Sequence, residues 1–133
     1  MSTYVMSDLH GNYKAYKDML EKIEFSNADT LFILGDILDR GPHPIKIILD
    51  VMNRPNVEVL AGNHCMMALE CMSFLLSEVT WESLAELNIE KIEKLVNWQQ
   101  NGAGTTINEF RKCNTATRQA VFEFISVRSG RWV

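Results

Sequence analysis

Thr30-Leu31-Phe32-Ile33-Leu34-Gly35-Asp36-Ile37-Leu38-Asp39-Arg40-Gly41 is the stretch that decides the fold. Its first five residues carry no charge and are apolar after the threonine, as expected of a central parallel strand covered on both faces. The run then stops at a glycine and a carboxylate. Polar residues just beyond the carboxyl end of such a strand stand where open parallel sheets bind their ligands. Upstream, Thr3 to Ser7 is a short strand candidate, and Tyr16, Met19, Leu20 and Ile23 follow at helical spacing. Downstream, Pro44 suits the first turn of a helix that carries Ile45, Ile48, Leu49 and Met52 on one face. Pro55-Asn56 breaks that helix, and Val57 to Ala61 is a third strand. The predicted order is βαβαβ, with right-handed crossovers.

Beyond Asn63 the pattern is helical only. Met66 to Leu76, Ile89 to Gln100 and Thr115 to Ser126 read as helices, separated by Thr80-Trp81 and by Asn101-Gly102-Ala103-Gly104. The fold class is therefore α/β, a parallel βαβαβ unit with an appended helical segment. The predicted organisation is one domain, with its motifs in residues 1–64, helices in 65–126 and an irregular tail in 127–133.

Composition excludes several classes of function. The 133 residues are 47% apolar and 23% charged, the balance of a soluble globular protein. Seventeen acidic against 13 basic side chains leave a net charge of -4, so nucleic acid is not the expected partner. The most apolar stretch, Cys65 to Leu76, contains Glu70 and is too short to span a bilayer. The N-terminus lacks a basic region followed by an apolar one, and a cytoplasmic location is expected. Cys65, Cys71 and Cys113 form no Cys-x-x-Cys pair, so reduced thiols are expected rather than disulfides or a zinc knuckle.

Three polar clusters each follow a predicted strand: Ser7-Asp8-Leu9-His10-Gly11-Asn12, Gly35-Asp36 through Gly41, and Gly62-Asn63-His64. Asp8 and His10 are two apart, so at an extended strand end their side chains would share one side. Asp36 from the neighbouring strand can join them, and Asn63 offers a neutral oxygen. A mixed carboxylate and imidazole set suits Mn, Fe or Zn better than Ca. Glycines 11, 35, 41 and 62 allow tight turns and close approach of an anion.

In this order, Asp-x-His-Gly, Gly-Asp-x-x-Asp-Arg-Gly and Gly-Asn-His resemble the calcineurin-like metallophosphoesterases. Asp39-Arg40-Gly41 narrows the resemblance to the phosphoprotein phosphatase branch and its bacterial relatives, which include symmetrical dinucleoside tetraphosphate hydrolases. Trp98-Gln99-Gln100-Asn101-Gly102 is similar to a Trp-x-x-Asn-Gly segment of bacterial members. The resemblance implies that Asp8, His10 and Asp36 hold a first metal ion and that Asp36 and Asn63 bind a second. It implies Arg40 as the phosphate grip and His64, oriented by Asp39, as the acid that protonates the leaving oxygen. A metal-activated water would be the nucleophile, with Mn as the expected ion.

The implied activity is hydrolysis of phosphate monoesters, with phosphoserine and phosphothreonine in proteins as first choice and dinucleoside tetraphosphates as the alternative. Family members take two further histidines for the second ion from the C-terminal half of their domain. This chain has only His10, His43 and His64, and Cys65 stands where a glutamate commonly follows the third motif. The expectation is a truncated domain matching the N-terminal half of the family's sandwich, turning over little and self-associating through an uncovered sheet face. A competing reading from another class is a remnant that binds metal or a partner without turnover.

Other conspicuous residues are expected to be structural. His43, between Gly41-Pro42 and Pro44, lies just ahead of a helix start. The Met66-Met67-Ala68-Leu69 run reads as a core helix rather than a docking surface. Cys65 has no flanking base beyond His64, which argues against a redox switch. Lys91 and Lys94 with Glu90 and Glu93 form a solvated helix face.

Overall fold

The computed structural model describes residues 1–77 and 80–129. Three parallel strands, β1 (Thr3–Met6), β2 (Thr30–Leu34) and β3 (Val57–Leu60), form a sheet in the order β1-β2-β3. Helices α1 (Tyr13–Lys22) and α2 (Pro44–Met52) connect them, and α3 (Asn63–Met72) leads directly out of β3. A short 3-10 turn (Ser73–Leu75) precedes α4 (Trp81–Ala85), α5 (Ile89–Gln100), α6 (Gly104–Lys112) and α7 (Thr115–Ser129). The α/β class and the βαβαβ order agree with the sequence reading.

Register explains which side chains form the core. Tyr4 pairs with Leu31, Leu31 with Val57, Met6 with Ile33 and Ile33 with Val59, so these six share one face. Leu31, Ile33, Val57 and Val59 are buried there together with Tyr16 and Leu20 of α1 and Ile45, Ile47, Ile48 and Val51 of α2. The other face is more open. Val5 is 60% and Leu34 44% exposed, and Phe32 and Leu60 are half-buried. Buried Trp98, Phe110, Val121 and Ile125 belong to the same hydrophobic cluster as the strands, so the later helices share that core.

Helix starts follow their capping chemistry. Asn12 caps α1 by accepting from the Ala15 amide at 3.0 Å, and Pro44 opens α2. Asn88 caps α5 by accepting from the Lys91 amide at 2.8 Å. Thr80 and Ser83 exchange side-chain to backbone hydrogen bonds at the start of α4, so Thr80-Trp81 begins a helix rather than separating two.

Three further boundaries differ from the reading. α3 begins at Asn63, which places Asn63 and His64 in a helical first turn. α6 follows the Asn101–Gly104 turn at once and buries Thr106 and Phe110 one helical turn apart. α7 continues to Ser129 through part of the expected tail, while residues 130–133 lie outside the described residues. The methionine run of α3 is mixed: Ala68, Cys71 and Met72 are buried, whereas Met66 is 47% exposed.

Candidate metal centre

The carboxyl ends of β1 and β2 are tied together by backbone. The His10 amide donates to the Asp36 carbonyl at 2.9 Å and the Gly11 amide to the Ile37 carbonyl at 2.7 Å. The His43 amide donates to the Gly11 carbonyl at 2.8 Å. β1 ends at Met6, and both Asp8 (φ 56) and His10 (φ 38) are left-handed rather than extended. The alternation expected for a strand end therefore does not apply. A turn brings the two together, with Asp8 Oδ1 4.0 Å from His10 Nε2.

His10, Asp36 and His64 converge, each offering a ligand atom within 4.8 Å of those of the other two. His10 Nδ1 lies 3.1 Å from the Leu38 carbonyl. A carbonyl only accepts, so this nitrogen carries the hydrogen and Nε2 is the nitrogen that faces the trio as a ligand atom. The His10 and His64 rings meet edge to face with centroids 4.9 Å apart.

Among the described residues Asp36 Oδ1 is buried without a hydrogen-bond partner, and a β-carbon on Gly62 would lie 2.9 Å from it. Glycine at 62 is what lets β3's exit pass so close to this carboxylate. The unpartnered carboxylate oxygen and His10 Nε2 are donors that a divalent transition-metal ion fits, and the His64 ring stands beside them. Asp8, with its side chain 73% exposed, and Asn63, exposed at the start of α3, stand outside this trio of ligand atoms.

Behind the trio, Asp39 is completely buried. Its Oδ2 lies 2.7 Å from His64 Nδ1 and accepts from Trp98 Nε1 at 2.8 Å. Its Oδ1 accepts from Thr106 Oγ1 at 2.7 Å, and its own amide donates back to Thr106 Oγ1 at 2.9 Å. The sequence reading paired Asp39 with His64 but did not identify Trp98 or Thr106 as partners. Trp98 had a signal in the Trp-x-x-Asn-Gly segment; Thr106 had none. Arg40 is exposed, with its Nε 3.4 Å from the Asn101 carbonyl.

The profile of the calcineurin-like phosphoesterase family matches residues 1–120. The chain belongs to the calcineurin-like phosphoesterases. Among curated relatives of this phosphoesterase chain is a symmetrical bis(5'-nucleosyl)-tetraphosphatase of Buchnera aphidicola subsp. Schizaphis graminum. It is 32% identical over 115 residues, which cover 84% of this chain and 42% of the relative. Proteins of the same name from Erwinia tasmaniensis and Proteus mirabilis are each 28% identical over 115 residues, with the same coverage. The phosphoesterase chain thus matches 42% of the length of these relatives.

The remaining candidates take structural positions. His43 precedes α2 and its Nδ1 lies 3.0 Å from Glu109 Oε2, while Glu109 Oε1 accepts from the Ile45 amide at 2.8 Å. Glu109 of α6 therefore caps α2, a role absent from the sequence reading. Burial pushes the Cys65 thiol up, away from a reactive thiolate. No helix among the described residues is long and apolar enough to cross a membrane.

Proposed function

We propose that this phosphoesterase chain forms the phosphate-handling face of a metal-dependent hydrolase acting on symmetrical dinucleoside tetraphosphates. The observation that carries the hydrolase reading is the convergence of His10, Asp36 and His64 at the strand ends, with buried Asp39 behind His64. The similarity to relatives named as symmetrical tetraphosphatases supports the tetraphosphate better than phosphoserine or phosphothreonine, the first choice of the sequence reading.

Asp8, His10 and Asp36 would hold one divalent ion, and Asp36 with Asn63 would contribute to a second. Mn is the first choice, and Fe or Zn also suit the donors. Such an ion, when bound, supplies charge stabilisation at phosphoryl oxygens and a more acidic water. The chain's own groups do the rest. Arg40 offers a planar, two-pronged donor for phosphate oxygens. Asp39 accepts from His64 Nδ1 and sets the ring so that Nε2, when it too carries a hydrogen, can pass that proton to the departing oxygen. Symmetrical cleavage adds water across the central P–O–P bridge. The water oxygen joins one phosphorus, the bridging oxygen leaves with the other, and two nucleoside diphosphates result.

The test is incubation of the chain with Mn and, in parallel, a symmetrical dinucleoside tetraphosphate, a phosphoserine peptide and an aryl phosphate. The expected product is nucleoside diphosphate, formed with Mn present and not in its absence. Phosphate release from the peptide with the tetraphosphate left intact would return the protein phosphatase reading. No turnover on any of the three would favour metal binding without hydrolysis.

A further inference from the structure

The Trp98–Gly102 segment takes no part in the chemistry proposed above, yet it touches two of the residues that do. It forms the corner between α5 and α6. On one side of that corner, buried Trp98 donates to Asp39 Oδ2 at 2.8 Å and buried Thr106 donates to Asp39 Oδ1 at 2.7 Å. At its tip, the Gly102 carbonyl accepts from the Arg40 amide at 2.9 Å and the Asn101 carbonyl faces Arg40 Nε at 3.4 Å. Gly102 has φ +96, and a β-carbon there would lie 2.7 Å from Arg40 Cγ. Only glycine allows the corner to approach that closely without moving the arginine.

We propose that residues 98–106 are a two-armed positioning clamp, one arm fixing Asp39 and through it the tautomer of His64, the other fixing Arg40. The proposal rests on the phosphoesterase reading of His64 and Arg40. Both arms act through Asp39 and Arg40, so these are positioning residues.

The first arm works through donor and acceptor identity. An indole N–H can only donate, so Asp39 Oδ2, shared by Trp98 and His64, acts as acceptor toward both. His64 is thereby held with its hydrogen on Nδ1, and Nε2 is left for the site. Thr106 occupies the other carboxylate oxygen and, through the Asp39 amide, closes a ring that prevents the carboxylate from rotating. The second arm works through the backbone. Arg40 has φ 70, and the Gly102 carbonyl on its amide holds that left-handed conformation.

The test begins without metal. Nitrogen-15 NMR of histidine-labelled chain, at a pH of about 8 where free histidine is neutral, should show His64 as the single Nδ1–H tautomer. Trp98→Phe and Thr106→Val should each lose that single pattern and give a mixture, while Thr106→Ser, which keeps the hydroxyl, should restore it. Gly102→Ala should leave the tautomer unchanged. With Mn and a phosphoester, Trp98→Phe and Thr106→Val should lower kcat on the order of 10-fold, part of the ~10²–10⁴-fold that general acid catalysis supplies. Gly102→Ala should instead raise KM.

Retention of the wild-type tautomer pattern in a folded Thr106→Val chain would overturn the clamp. If Trp98→Phe fails to fold, the isosteric valine and the serine at 106 decide alone. A wild-type chain inactive on every phosphoester counts against the proposed function, and the NMR comparison still decides the clamp.

Discussion

Among the described residues, six non-glycine positions have positive φ, and five of them are Asp8, His10, Asp36, Asp39 and Arg40. Each such conformation costs on the order of 1–3 kcal/mol and persists only where its surroundings impose it. Here they do: the His10 amide is held by the Asp36 carbonyl, the Asp39 amide by Thr106 and the Arg40 amide by Gly102. The motif residues were legible as residue types after strands. Their left-handed backbone was not, because it is imposed by contacts between loops distant in sequence. Asp29 shows a related long-range tie. Its carboxylate accepts from the Ser2 amide at 2.9 Å and the Ser26 amide at 3.0 Å, joining the start of β1 to the loop before β2. The Ser26 amide first, then that of Ser2, hold its carboxyl below the usual carboxylate range. With the folded pKa lowered, the stabilisation is complete above the unfolded value near ~3.9 and is lost as pH falls through the folded one. Denaturant unfolding of wild type and Asp29→Asn should therefore differ most above pH ~5 and converge at strongly acidic pH. A gap that widened on acidification would contradict this sign.

At the scale of elements, strands and the two crossover helices were readable because each obeys one local rule, an apolar run or a helical stripe bounded by Pro or Asn. α6 was missed because Asn101-Gly102-Ala103-Gly104 reads as a long break, while the chain spends only a turn there before the helix resumes. Its anchors are tertiary: Thr106 on Asp39 and Glu109 on the α2 amino end. The junction of α6 and α7 has a comparable anchor in Arg118, which is buried and donates to the carbonyls of Arg111, Cys113 and Leu75 at 2.6, 3.0 and 3.3 Å. Hydrogen bonds to a charged group of this kind contribute about 1.5–3 kcal/mol. Arg118→Met should lower unfolding free energy by about 2–3 kcal/mol in a urea titration. A loss within about 0.5 kcal/mol, the range of ordinary surface substitutions, would show that this buried guanidinium is not an anchor.

For the whole molecule, the open sheet face was expected from the apolar strands and the second sheet that the family resemblance implies: β2 is apolar on both faces, and α1 and α2 bury residues against one. Val5 and Leu34 remain exposed on the other. Exposed apolar area on a sheet promotes association. Wild type is expected to sediment with concentration-dependent association, and Val5→Lys combined with Leu34→Lys should shift it toward monomer; a wild-type monomer at all concentrations would contradict the expectation. Unchanged association would locate the contact elsewhere. How the later helices join the same core was not legible, since it depends on the packing of Trp98, Phe110, Val121 and Ile125.

The central claim is that the strand-end loops of this phosphoesterase chain form a divalent-metal site centred on Asp36, whose buried Oδ1 has no partner among the described residues. Calorimetric titration of Mn into wild type and Asp36→Asn tests it most directly. The account predicts binding to the wild type and an affinity at least about 10-fold weaker in the variant, a coupling of about 1.4 kcal/mol or more. Equal affinity in the two, with both folded, would contradict it.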